Sequence, residues 1–342
     1  MKRLTIIAFI LGYLTVNAYA QDLTFSQFYE IPMLRNPALA GVFDGDVRVS
    51  GAFRNQWQSI AVPFQTGALG IEYKLPFNQH GDWLTLGLQA SHDVAGDVKL
   101  KRTQVMPVLN FHKSLNADRN EYISVAFMAG PVNSQFDPTA LKMNDQFVNG
   151  SYNANAPTQV FQRTGFNYWD ASTGISYSAS YNDDIHYYVG AGLFHFNRPK
   201  VAFYTSNSNV QLQPKVALNG GLTIQTSDVN KLVFYTDYFS QGGSQQFFIG
   251  GMYGVDLSYD WDGDRTSTLY LGTFYRWNDA IVPAVRLSLY QMNIGLSYDV
   301  QVGRLKTASQ MRGGFELTLT YRASLSSRSQ YSDAVRCVGS GF

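Results

Sequence analysis

The residue types that could carry chemistry are scattered rather than clustered. His80, His92, His112, His186 and His195 form no H-E-x-x-H pair. Neither a G-x-S-x-G elbow nor a glycine-rich phosphate loop occurs. Asp260-Trp261-Asp262-Gly263-Asp264 brings carboxylates close together, as a hard cation requires. It lacks the spacing and the distal Glu of a helix-loop-helix calcium loop, and Asp and Gly are ordinary turn residues. The turn is the preferred reading, and no metal is assigned. Cys337 is the single cysteine, which excludes an internal disulfide framework. A triad assembled from separate strands would be invisible in one sequence. Nothing in the chain points to an enzyme, and no cofactor is expected.

A second set of candidates is charged and lies at alternating positions: Arg48, Arg54, Glu72, Lys74, Arg276, Arg286, Glu316 and Arg322. Their significance depends on the elements that carry them. From about Asp46 the chain alternates with period two, as half-buried strands do. Leu69, Ile71, Tyr73 and Leu75 oppose Ala68, Gly70, Glu72 and Lys74. Met292, Ile294, Leu296 and Tyr298 oppose Asn293, Gly295, Ser297 and Asp299, and Phe315, Leu317, Leu319 and Tyr321 oppose Glu316, Thr318, Thr320 and Arg322. A soluble sandwich also alternates. Here, however, the apolar faces end in Tyr or Trp (Tyr73, Tyr181, Tyr275 with Trp277, Tyr298, Tyr321), which suits aromatic girdles at two membrane interfaces. The opposite faces mix Gly, Ser and Thr with charges of both signs, which suits a lumen.

Composition agrees. The 342 residues include 15% charged and 15% aromatic side chains and 30 Gly, whereas soluble domains carry about 25% charge. Lys+Arg number 26 against 25 Asp+Glu, giving a formal charge of +1 and none of the basic excess of a nucleic-acid binder. Lys2 and Arg3, the apolar run Leu4 to Val16 and Ala18-Tyr19-Ala20 read as a signal peptide over residues 1–20, with the mature chain starting at Gln21. No later stretch is long and apolar enough for a transmembrane helix.

The expectation is an all-β transmembrane antiparallel barrel in the outer membrane. Fourteen strands are expected near 46–56, 64–75, 83–92, 98–112, 121–131, 166–181, 185–196, 213–226, 230–239, 246–257, 266–277, 281–288, 291–299 and 312–322. Segments 98–112 and 230–239 alternate poorly. An even count is the bacterial rule, and it puts the longest connections on the outer face and short turns on the periplasmic face. Residues 21–45 precede the barrel without alternating, and Pro32 and Pro37 interrupt any long helix. They read as a plug folded into the lumen, with a tight turn at Asn36-Pro37-Ala38 and Gly41 free to take positive φ. A periplasmic leader packed on the rim is the other reading. The lumen charges read first as ion pairs bracing the barrel and second as a transport path. Loop 132–165 carries Phe136, Phe147, Tyr152 and Phe161. They form either a partner-binding surface or a constriction turned inward. Residues 323–342 read as a periplasmic tail.

Phe25-Ser26-Gln27-Phe28-Tyr29 followed by Asn36-Pro37-Ala38-Leu39-Ala40-Gly41 resembles the start of the PorP/SprF family of Bacteroidetes outer-membrane proteins. Arg54-Asn55-Gln56-Trp57 is similar to that family's R-x-Q-W element, with Arg54, Gln56 and Trp57 as its matching positions. Ile294 to Val300 and Arg312 to Arg322 are similar to its last two strands. The tail departs: Arg336-Cys337-Val338-Gly339-Ser340-Gly341-Phe342 lacks the Pro of the family's usual ending. The resemblance implies a type IX secretion system protein that helps export a secreted adhesin with a sorting domain or holds it at the surface. The partners it implies are that secreted protein, periplasmic or outer-membrane secretion and gliding components, and outer-membrane lipid. The alternative is a plugged transporter for small hydrophobic molecules of the fatty-acid channel type. An open porin fits less well, because residues 21–45 would obstruct a wide bore.

Overall fold

The computed structural model describes residues 22–325, except 59–61, 78–80, 117–119, 154–160, 162, 183, 204–209, 260–264 and 304–305. The signal-peptide region, His80, the Asp260–Asp264 turn and the tail from 326 with Cys337 lie outside the described residues.

The strands are β1 (Val47–Gln56), β2 (Phe64–Pro76), β3 (Trp83–Ala95), β4 (Leu100–Asn116), β5 (Glu121–Gln135), β6 (Phe147–Val148), β7 (Ser151–Tyr152), β8 (Gly165–Tyr181), β9 (Ile185–Phe194), β10 (Lys215–Ser227), β11 (Asn230–Gln241), β12 (Ser244–Tyr259), β13 (Arg265–Arg276), β14 (Ala280–Leu289), β15 (Met292–Gln301) and β16 (Arg312–Ala323). All but β6 and β7 form one closed antiparallel barrel of fourteen strands, with β1 paired to β16 from Val47↔Ala323 to Gln56↔Gly314. Closure removes the open edges that a membrane would leave unsatisfied. Strand lengths of 10 to 17 residues meet the ~9–11 residues that a tilted strand needs to cross the hydrocarbon. No helix among the described residues is long and apolar enough to cross a membrane.

The period-two pattern sorts the two faces as expected. Leu69, Ile71, Val125, Leu271, Leu296, Leu317 and Leu319 are exposed on the outer wall, and Trp169, Tyr181 and Trp277 are exposed near strand ends. Lumen-facing Arg48, Glu72, Lys74, Arg276, Arg286 and Glu316 are buried. The strands extend beyond the sequence expectation mainly at the end carrying the long connections: β3 runs to Ala95, β5 to Gln135 and β12 starts at Ser244. β4 and β11 alternate poorly because both their faces are apolar. Met106 and Val108 on β4, and Val233, Tyr235 and Phe239 on β11, point inward and are buried in the core.

Three long connections (β5 to β8, β9 to β10, β15 to β16) lie at one end, here the loop end. Short turns such as Asp228-Val229 and Tyr290-Gln291 lie at the other, the turn end, where β1 starts and β16 finishes. Inside the long β5–β8 connection, β6 and β7 pair as a small hairpin, an element absent from the sequence expectation.

Candidate functional site: the occupied bore and the loop face

Residues 22–46 run through the bore from the loop end to the turn end. Two prolines divide the segment into short pieces, as expected: a four-residue helix, Pro32–Arg35, between 3₁₀ turns at Phe28–Glu30 and Pro37–Leu39. Short pieces leave many backbone groups without intrahelical partners, and here the barrel wall supplies partners. Glu316 accepts from the backbone N–H of Ser26 (2.6 Å) and of Gln27 (2.7 Å). Asn110 donates to the carbonyls of Ala38 (2.9 Å) and Ala40 (2.7 Å), and Ser176 donates to Ala38 (2.9 Å).

The Asn36-Pro37-Ala38 turn is built by its own residues and received by the wall. Asn36 Oδ1 accepts from the Ala38 N–H at 2.9 Å, while Nδ2 donates to the Ile175 carbonyl on β8 at 3.1 Å. Asn36 is fully buried because β8 and β9 present glycines to it. A Cβ on Gly174 would lie 1.9 Å from Asn36 Oδ1, and one on Gly190 2.7 Å from Nδ2. Gly41 takes φ +85°, and a Cβ there would meet Thr85 Oγ1 at 2.1 Å and His112 Nε2 at 2.8 Å. Its N–H donates to Glu72 at 2.7 Å.

The charges fall into linked groups. Arg48 grips Glu72 through Nε (2.7 Å) and Nη2 (2.8 Å), a bidentate geometry that combines strength with orientation. Lys74 donates to the Phe43 carbonyl and lies over the Phe43 ring. Arg54 holds Asp299 (2.8 Å), Glu316 (3.0 Å) and the Thr24 carbonyl (2.6 Å). Arg276 bonds Asp299 and Ser26 Oγ, both at 2.9 Å, and pairs with Asp279. Arg286 pairs with Glu30 at 3.3 Å. Arg35, from the segment itself, grips Asp237 with bonds of 2.7 and 2.6 Å and donates to the Tyr188 hydroxyl at 2.6 Å. At the loop end, Asp22 meets Arg102 (2.7 Å) and Lys215 (2.6 Å), and His195 lies between Asp22 (3.4 Å) and Asp170 (2.6 Å). Burial alone would raise the Asp22 carboxyl, but Lys215, Arg102 and His195 hold it well below the usual carboxylate range. Burial opposes the charged form of His195, yet hydrogen bonds to Asp170 and Asp22 raise it above an ordinary imidazole.

An apolar core completes the contact. Phe28 and Tyr29 pack on Tyr235, Phe248 and Phe274, with Tyr29 stacked on Tyr235 at 4.8 Å between centroids. Gln56 is the last residue of β1 paired with β2 and β16, and Trp57 follows it with φ +58°, its ring against Phe64 at 4.8 Å. The element therefore contributes Arg54 to the bore and Trp57 to the strand end.

The loop aromatics divide into two groups. Phe136 packs edge-on against Phe161 (5.1 Å) and Phe203 (4.9 Å), and the three rings are half-buried. Phe147 and Tyr152 face each other across the β6–β7 hairpin and are 54% and 40% exposed.

Asp237, Asp299, Tyr188 and the β8–β9 glycines were not singled out from sequence. Asp299 stood on a correctly read lumen face, but its Arg54 partner lies 245 residues away.

Several solved structures are similar to the chain at low identity. The monoaromatic hydrocarbon channel CymD is 10% identical over 86% of this chain and 93% of its own, with TM-score 0.47. A FadL homologue of Pseudomonas aeruginosa is 9% identical over 84% and 92%, with TM-score 0.43. The NanC porin is 8% identical over 82% and 100%, with TM-score 0.40. Likenesses this distant assign no cargo to the chain. Among curated proteins none matches it. The family model for the type IX secretion system membrane protein PorP/SprF matches residues 17–321, nearly the whole barrel and the segment that fills it, and the chain belongs to that family.

Proposed function

We propose that this outer-membrane barrel is a closed, non-enzymatic scaffold. It binds a secreted surface protein, an adhesin with a type IX sorting domain, and helps to export it or hold it at the surface. It also contacts other secretion and gliding components. The observation that carries this reading is the occupied bore: residues 22–46 bond or pack against strands around the circumference. A bore filled this way leaves the two ends as the surfaces for partners. At the loop end, assigned here to the cell exterior, the hairpin exposes Phe147, Val148 and Tyr152, the kind of aromatic-rich patch that protein interfaces use.

The transporter reading needs an apolar pocket for cargo. Inward-facing Phe274 is packed against Phe28 and Tyr29, and Tyr270 lies under Arg286. These apolar walls are occupied by the chain's own residues, which supports the scaffold over the channel. The test is gentle detergent extraction from native outer membranes, purification by an affinity tag on this chain, and mass spectrometry of what accompanies it. A secreted protein with a sorting domain, or periplasmic secretion components, is expected in the preparation. Replacing Phe147 and Tyr152 by Ser should reduce the secreted protein several-fold. Recovery of the barrel alone, with only lipid or fatty acid, would sink the scaffold reading.

A further inference from the structure

Segment 22–46 does not fill the turn end evenly. As it descends it lies against β1 and β2, where Phe43 sits beneath Arg48 and Lys74. Between Asp44–Gly45 and the opposite wall, formed by β11 and β13 to β16, it leaves a cavity of about 300 Å³. Tyr290, Gln291 and Ser324 line its edge and are exposed, so the cavity opens at the turn end.

The lining cations are unequally partnered. Lys231, Arg286 and Arg322 face this space, and Asp44 is the one acid among the lining residues. Lys231 is offset by Asp256 at 3.5 Å, and Arg286 by Glu30 at 3.3 Å. Among the described residues no carboxylate lies within ion-pair distance of Arg322, and its Nε is buried without a hydrogen-bond partner. Arg286 Nε is also buried and unpartnered, with its guanidinium over the Tyr270 ring at 3.9 Å. Arg48, directly opposite Arg322 in the β1–β16 register, is committed to Glu72 and offers Arg322 no acceptor. Buried guanidinium N–H groups without acceptors cost free energy that an incoming oxygen recovers. A planar fork on Arg suits a carboxylate or phosphate.

We propose that this cavity is an oxyanion site, entered from the turn end, in which Arg322 grips a carboxylate or phosphate and Arg286 and Lys231 supply further positive charge. Ser288 and Asn293 line the same space and can donate to the remaining oxygens. The two sources of such a group are the carboxyl end of a peptide and a free anion. The site stands on its own geometry and does not depend on the scaffold reading.

Isothermal titration calorimetry of the full chain in detergent, at constant ionic strength, tests the site. The probes are inorganic phosphate, a short Gly-Ser peptide with a free carboxyl end, and the same peptide amidated. Saturable binding of phosphate, of the free-acid peptide or of both is expected, with none for the amide. Arg322→Gln should weaken binding at least tenfold, and Arg322→Lys less, in protein that keeps its heat-modifiable gel mobility. Peptide binding alone identifies a chain end as the source, and phosphate binding alone a free anion. If Arg322→Gln does not fold, Lys231→Gln is read in the same titration. Absence of saturable binding by both anions, or unchanged affinity in the folded variant, overturns the site.

Discussion

Arg35 anchors the segment through three side-chain hydrogen bonds to the wall. Its guanidinium is buried, makes two bonds to Asp237 and one to Tyr188, and has the Phe28 ring 5.0 Å from its centre. Replacing two charges by apolar groups of similar shape can be nearly neutral, whereas removing one partner strands the other in a poorly solvated site. Arg35→Ala should therefore cost on the order of 3–5 kcal/mol, read as a lower urea midpoint for barrel unfolding. The double variant Arg35→Met with Asp237→Asn should recover most of that loss. Equal losses in the single and double variants would show that packing around Phe28 and Tyr235, rather than charge, holds this position. Residue by residue, the sequence was readable where period two alone decides orientation. Arg48, Glu72, Arg276 and Glu316 face the lumen because their neighbours alternate. Their partners were not readable, because closure brings Arg54 to Asp299 and Arg35 to Asp237 across long stretches of chain. Strand tilt and shear set those meetings, and local pattern does not encode them.

At the level of elements, the same physics explains which strands were hard to recognise. A strand facing lipid on one side and water on the other alternates cleanly. β4 and β11 face lipid on one side and an apolar part of segment 22–46 on the other, so Met106, Val108, Val233 and Tyr235 erase the contrast. β8 and β9 show the converse. Their inward Gly and Ser residues look like generic lumen, yet they form the recess for Asn36. Gly174→Val tests this directly. The new side chain would occupy the space of Asn36 Oδ1 and break the turn's bonds to Ala38 and Ile175. The barrel's own ladder is untouched, so heat-modifiable mobility should persist. Hydrogen exchange at Ala38–Val42 should accelerate at least tenfold, while an outward control, Ile175→Ala, leaves it unchanged. Equal exchange in Gly174→Val and the parent would mean that the recess does not position the turn.

For the whole molecule, the question is what closes a fourteen-strand barrel. At this size the wall's own side chains do not fill the bore, so whether it is open or closed depends on what else enters it. Segment 22–46 is covalently attached at Asp46, where its N–H donates to Ala323 (2.8 Å) and its carbonyl accepts from Lys74 (2.8 Å). It is tied at the opposite end by Asp22. A segment fixed at both ends and bonded between them does not swing aside easily, which favours a permanently closed bore over a gated one. Deleting residues 22–43 should leave a barrel that inserts into planar bilayers and conducts in discrete steps, while the intact chain stays silent. The exposed wall would carry Arg48, Arg54, Lys74, Arg102, Lys215, Lys231, Arg276, Arg286 and Arg322 against Glu72, Asp93, Asp170, Asp237, Asp256, Asp299 and Glu316, with Asp44 and Asp46 retained beside them. Cations and carboxylates nearly balance there, so the opened pore should discriminate little between anions and cations. A deletion variant that folds but conducts no more than the parent would place the seal in the loop aromatics around Phe136 and Phe161, leaving the segment as a brace for the wall.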